Sequence, residues 1–410
     1  MKKMLLLTAM TVMTFAGCVK NEVHRLDSEN HGPKIVFESP FMYDNVTKAQ
    51  VLGELNEAKY PQDEKFIIFA AQHQGDFAGW PTNQLNNPHS DENGLCAFNG
   101  TKISYVSTFD AWVPTYQNGS ETEYYYWPQG KKLSFAAMSP SELGTGSVVY
   151  DKTGLTITDY VNPEPGEQFD LLFAKRTMNH TSSDMIGVAG IYSGIPISFQ
   201  HALSSIHFSI CKDELDQDVK LKKITLNGVV NKGTFKENID ETEGLSYVID
   251  ETSGNTVTPS WTVSADEIDK VDYISFEGNG TKIDFPLTPQ YVSSVVDNLV
   301  KEGTLNEGDV FSTSLLVIPQ ELTDETVLVI DYEINGSSQT KECKLKGLET
   351  ITGAGGIADA DKYGAISAWE RGYKYSYRIH YSATSHKKDV IYFSPSVEGW
   401  KDVQIIQITL

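Results

Sequence analysis

Wherever this chain alternates apolar and polar residues, it does so mostly with a period of two. Runs such as "KFIIFAA" (65–71), "KLSFAAM" (132–138), "GLTIT" (154–158), "SSIHFSI" (204–210), "TVLVIDYEI" (326–334) and "YKYSYRIHY" (373–381) are short and rich in Ile, Val, Phe and Tyr. That composition and period suit a pleated, half-buried strand. Turn pairs such as Asn118-Gly119, Pro165-Gly166 and Asn335-Gly336 fall between runs of this kind, as hairpins require. Helical periodicity is scarce, its best candidates being Asp44 to Glu57 and Thr288 to Val300. The chain therefore reads as mainly β. Its 410 residues exceed a usual single sandwich, so two β-sandwich domains in series are expected. The division is placed in the Ser- and Gly-containing stretch Thr181 to Gly194, giving domains over 32–190 and 191–410.

The N-terminus reads as an export signal. Lys2 and Lys3 precede thirteen uncharged residues, Met4 to Ala16, and Phe15-Ala16-Gly17-Cys18 follows. The apolar run is too short to span a bilayer, and small residues before a cut fit a secretory signal over residues 1–17. The Ala-Gly-Cys ending resembles the lipobox of bacterial lipoproteins, which implies diacylglycerol on Cys18 and a flexible lipidated segment over 18–31. Without residues 1–17 the chain carries 31 basic and 55 acidic residues, a net charge of −24. Such a surface repels nucleic acid, so no nucleic-acid partner is expected. Cys96, Cys211 and Cys343 remain besides Cys18; they are widely spaced and imply neither a disulfide framework nor a metal site.

Catalytic and cofactor motifs are weak. Neither Gly-x-Ser-x-Gly nor His-Glu-x-x-His occurs. His201 and His207 share one face if their segment is a single extended strand, and without a third ligand a structural pair is expected. Gly353-Ala354-Gly355-Gly356-Ile357-Ala358 matches a dinucleotide fingerprint by letters alone, outside any βαβ context. Asp359, Asp361, Tyr363, Gly364 and Glu370 take the spacing of a calcium loop, but Tyr363 supplies no suitable oxygen at the fifth position. No metal, cofactor or enzymatic activity is expected. In "EYYYWPQG" (123–130), alternation sends Tyr124 and Tyr126 one way and Tyr125 and Trp127 the other, so half of these rings belong in a core and half could stack on a sugar.

"YYYWPQGKKLSFAAMSP" (124–140), "FDLLFAKRT" (169–177), "IPISFQHALSSIHFSI" (195–210), "WERGYKYSYRIHYS" (369–382) and "IYFSPSVEGW" (391–400), in this order behind a lipobox, resemble the fimbrillin-like family, the type V pilus subunit lipoproteins of Bacteroides-type bacteria. The resemblance covers nearly the whole chain. It implies two transthyretin-like β-sandwich domains and a non-catalytic pilus (fimbrium) subunit or associated adhesin at the outer membrane and cell surface. Its implied partners are other pilus subunits, outer-membrane lipid through the acylated Cys, and a host or bacterial surface ligand. In that family a protease removes an N-terminal strand and a neighbour's strand fills the groove. The removable strand corresponds to Lys34, Ile35, Val36, Phe37 and Glu38, and the loop after it offers Lys48. Arg25 is the other candidate cleavage site, and cleavage at Lys48, at Arg25 or at neither bond stays open.

The end of the sequence supplies a candidate donor. "IIQITL" alternates so that Ile406, Ile408 and Leu410 share one face, the pattern that β-augmentation of a sheet edge requires. The competing expectation is that Val403 to Leu410 stays paired within its own sandwich. A glycan-binding surface lipoprotein that does not polymerise is the alternative function.

Overall fold

The computed structural model describes residues 35–37, 41–42, 60, 62–76, 95–108, 111–118, 121–128, 130–151, 153–181, 183, 194–213, 218–238, 259–278, 282–292, 299–301, 314–348, 366–381, 395–399 and 406–409. They are almost entirely strand; one 3-10 turn, Glu267–Asp269, is the helical element among them. The first sheet holds β1 (Phe41–Met42), β2 (Lys65–His73), β3 (Leu95–Val106), β4 (Ala111–Asn118), β5 (Glu121–Tyr124), β6 (Lys132–Ser139), β9 (Leu172–His180) and β10 (Ser198–His201), in the order β1-β10-β9-β6-β2-β3-β4-β5. One face of it is covered by a second sheet, β14-β13-β8-β7, made of β7 (Ser147–Asp151), β8 (Gly154–Val161), β13 (Lys232–Lys236) and β14 (Ser260–Val263).

A third sheet runs β18-β17-β11-β24-β25, with β19 also on β11 and β26 also on β24. Its strands are β11 (Ser204–Lys212), β17 (Gln290–Val292), β18 (Leu299–Lys301), β19 (Ser314–Val317), β24 (Tyr373–Tyr381), β25 (Pro395–Gly399) and β26 (Ile406–Thr409). It packs on a fourth sheet of β12 (Val219–Val230), β15 (Lys270–Glu277), β16 (Ile283–Asp284), β21 (Val327–Ile334) and β22 (Ser337–Lys344). A two-stranded piece, β20 (Gln320–Glu321) with β23 (Ala368–Trp369), completes the set.

Period-two patterning explains these layers. In β24, Tyr375, Tyr377 and Ile379 enter the core between the third and fourth sheets, joined there by Ile206, Phe208 and Ile210 of β11. The large first sheet uses both faces. On β2, Ile67, Phe69 and Ala71 pack toward the second sheet, while Phe66, Ile68 and Ala70 point into a separate core. That separate core is lined by the first sheet and by Ile35, Phe37, Tyr60, Tyr125, Trp127, Ile195 and Ile197. The sheet therefore wraps around it rather than lying flat, as strand twist favours.

The junction between the large sheet and the third sheet has no linker. β10 ends at His201 and β11 begins at Ser204, with Ala202 and Leu203 alone between them. Trp261 Nε1 donates to the Ala202 carbonyl at 2.7 Å, and Arg371 donates to the His201 carbonyl at 2.7 Å. The Arg371 guanidinium also lies 5.2 Å from the centre of the Phe173 ring. β19 and the residue after it are shared: Leu315 and Val317 belong to the core of the third and fourth sheets, Leu316 and the following Ile318 to the core beneath the second.

Three expectations change. At the described ends of Thr288 to Val300, Gln290–Val292 and Leu299–Lys301 are strands that pair with each other instead of turns of a helix. Four of its thirteen residues are Val, and β-branched side chains favour the sheet. Asp44 to Glu57 lies outside the described residues. The division at 190/191 also does not follow the sheets. Lys232–Lys236 and Ser260–Val263 pair with β8 and each other, so a cut there leaves β7 and β8 without the strands that complete their sheet. Finally, His201 and His207 do not act as a pair. The turn at Ala202 and Leu203 sends them to different sheets, where His201 Nδ1 meets Asp170 at 2.7 Å and His207 Nε2 meets Ser205 at 2.9 Å.

Candidate functional site

The short segment Ile35 to Phe37 closes the wrapped sheet. Ile35 and Phe37 are fully buried and Val36 nearly so, because Ile-Val-Phe offers apolar groups to both faces of an extended chain. The Ile35 N–H donates to the Tyr125 carbonyl at 2.9 Å. Phe37 exchanges two bonds with Trp112, its N–H donating at 2.8 Å and its carbonyl accepting at 3.2 Å. On the other side, the Val36 carbonyl accepts from the Ile195 N–H at 2.9 Å. Phe37 thus bridges Trp112 of β4 antiparallel and Ile195, just before β10, in parallel. Beyond it, β1 continues in parallel along β10, with Phe41 opposite Ser198 and Met42 opposite Phe199. The segment is a stave held from both sides, filling the gap between the β4 side and the β10 side.

Aromatic rings set the shape of the space it fills. The Phe37 ring meets Phe135 at 5.5 Å and Phe66 at 6.2 Å between centroids, edge to face in both cases. Behind these lie Trp112, 5.4 Å from Phe66, and Trp127, 6.1 Å from Phe135. Tyr60 packs on Trp112 and Phe199, and its hydroxyl is 2.6 Å from Ser139 Oγ. Burial holds that phenol well above its ordinary range, so it stays neutral. The indole N–H groups of Trp112 and Trp127 are buried and meet no acceptor among the described residues.

The other candidate residues divide between described and undescribed positions. Cys18, Arg25, Lys34, Glu38, Lys48 and Leu410 lie outside the described residues. Ile406 and Ile408 fall in β26, which runs parallel to β24 with Ile406 opposite Tyr377 and Ile408 opposite Ile379. Among the described residues β26 pairs with β24 alone, over four residues. The stave and β26 thus differ in how firmly they are held: one has partners on both edges, the other on one.

Asp359 to Gly364 lie outside the described residues, and the Glu370 carbonyl simply accepts from Ser204 Oγ at 2.7 Å. Among the described residues no group of three His, Cys, Asp or Glu side chains converges on a metal position. Tyr125 and Trp127 are buried and Tyr124 and Tyr126 half-buried, so Tyr124 and Tyr126 are the two rings left to the sugar-stacking reading. One buried acid stands apart from the groove: burial between the large and second sheets pushes the Glu237 carboxyl up to about 7, against the pull of Arg176. Its Oε2 accepts from the Leu155 N–H at 2.9 Å.

The resemblance singled out Lys34 to Glu38, of which Ile35 to Phe37 are described, and gave no partners for them. Trp112 and Tyr125 lie far along the chain, and β4 carries Pro114, a residue that weakens any strand signal. The Trp112-x-Pro114 alternation was the one cue that could have placed a core ring there.

Against known proteins, the fimbrillin-like family profile matches residues 82–400. The chain belongs to the fimbrillin-like family. It is accordingly a structural protein, a pilus subunit or adhesin of the cell-surface fimbrium that works with other pilus subunits, and not an enzyme. No curated protein matches it. Similar solved structures include a Bacteroides uniformis protein assigned to cell adhesion (14% identity, 90% of this chain and 98% of that one, TM-score 0.45). A fimbrial protein from Bacteroides vulgatus is also similar (15% identity, 89% and 100%, TM-score 0.42). So is the tip fimbrial protein Mfa3 from Porphyromonas gingivalis with a C-terminal truncation (12% identity, 90% and 100%, TM-score 0.31).

Proposed function

We propose that this protein is exported as a lipoprotein anchored through Cys18 and polymerises by strand exchange. Cleavage after Lys48 would release the Ile35 to Phe37 stave, and Val403 to Leu410 of a neighbouring subunit would supply a replacement strand. The observation that carries this reading is the position of the stave itself. It is the closing element of a buried aromatic core, with hydrogen bonds on both edges. Its loss would expose apolar surface and unpaired main-chain groups that only another strand satisfies. A further observation supports it: among the described residues β26 is held by one parallel pairing of four residues, and parallel pairing is slightly the less stable kind.

The test is to place a specific protease sequence in the loop at Lys48, cut the folded chain, and follow the product by sizing and negative-stain microscopy. Filaments or a ladder are expected, and a second chain ending at Asp402 should be cut yet stay monomeric. Loss of the stave with no association in either chain overturns the reading, and the glycan-binding lipoprotein then becomes the better one.

A further inference from the structure

We infer that the groove left by the stave prefers, over a second copy of this chain, a strand from an unlike subunit, one that carries an aliphatic residue followed two positions later by an aromatic. This rests on the strand-exchange reading above and deepens it by naming the partner. Main-chain bonding does not discriminate between donors. The carbonyls of Tyr125 and Trp112 and the N–H groups of Trp112 and Ile195 serve any extended segment lacking Pro opposite them. Choice therefore falls to the side chains that replace Ile35 and Phe37.

The position of Phe37 is a slot between rings. Its ring is fully buried, edge to face with both Phe66 and Phe135, and each of those is backed by an indole. A slot walled by large, mutually packed rings cannot collapse onto a smaller occupant, so an aliphatic group there leaves a void and forfeits two ring contacts. Between Val403 and Leu410 this chain offers Ile406, Ile408 and Leu410 on one face and no aromatic at any position. Its own strand has the length and alternation to enter a groove but lacks the ring this groove is shaped for. A second copy is thus a working but weaker donor, enough for the cut chain to assemble on its own, and the better-fitting neighbour is a subunit whose terminal strand reads aliphatic-x-aromatic.

The test uses the full chain cut at the loop of Lys48. A labelled peptide of residues 34–42 is bound to it, and unlabelled peptides compete. These are residues 402–410 as they stand, and the same peptide with Ile406→Phe, Ile408→Phe or Leu410→Phe, which covers each in-phase register. At least one aromatic peptide is expected to compete about ten-fold better than the unchanged one. Equal or better competition by the unchanged peptide overturns the inference. Failure of the 34–42 peptide itself to bind the cut chain is visible before any competitor is added, and overturns strand exchange together with this inference.

Discussion

Replacing Phe37 by Ala should unmake the closing stave without touching its backbone. Burial of a Phe side chain contributes roughly 1.5–3 kcal/mol. Phe37 is fully buried and makes two edge-to-face contacts, with Phe66 and Phe135, each adding about 0.5–1.5 kcal/mol beyond the buried area. The cavity term brings the expected loss to about 3–5 kcal/mol, the usual span for a buried Phe truncated to Ala. Trp112 and Trp127 sit in the same core, so tryptophan emission during urea unfolding reports on it directly. The Phe37→Ala chain should show its red shift at distinctly lower urea, and Phe37→Leu should lie between. A loss below about 1 kcal/mol for Phe37→Ala would falsify the view that this ring helps hold the core shut.

Other consequences can be checked on the same protein. Gly228 has φ +70° and a Cβ there would lie 2.3 Å from the Glu325 carbonyl oxygen, so Gly228→Ala should cost more than about 2 kcal/mol in urea unfolding. Arg371→Ala should cost roughly 1.5–3 kcal/mol, the loss of a charged donor to a buried carbonyl, and Arg371→Lys should restore less than half, since it lacks the planar group stacked on Phe173. The buried carboxyl of Glu237 is raised from 4.5 to about 7. The folded chain therefore holds this proton more tightly than the unfolded one, its contribution is fully present below pH 4.5, and it is lost as pH rises toward 7. At about 1.4 kcal/mol per pH unit this amounts to roughly 3 kcal/mol. Stability measured at pH 4.5 and pH 8 should show Glu237→Gln gaining on the unchanged chain by about that amount; parallel behaviour of the two would rule the assignment out.

Local pattern made much of the fold legible. The run Tyr373 to Tyr381 is a strand from end to end, and the alternation in 124–127 separated two rings from two, of which the structure buries Tyr125 and Trp127. What pattern could not convey is which face meets which partner. Phe37 finds Trp112 and Ile195, positions joined to it by tertiary closure and by no local signal. Lys232–Lys236 reads as one more strand, yet it completes a sheet begun at Ser147, because a non-local pairing buries Phe235 against Phe173. Thr288 to Val300 misled for the opposite reason: spacing suggested one helical face, while the β-branched side chains and the pairing with β11 favoured a sheet.

The two-residue passage from β10 to β11 bears on mechanics. A chain that crosses from one sheet to the next through Ala202 and Leu203, clamped by Trp261 and Arg371, has no hinge there to absorb torque. β19 stiffens the same place, since Leu315 and Leu316 anchor it in different cores and any tilt between those cores must strain both packings at once. Pulled from its ends, such a unit passes load through side chains and ladders rather than through slack polymer, and the compliance of a fibre made from it would reside in the joints between units.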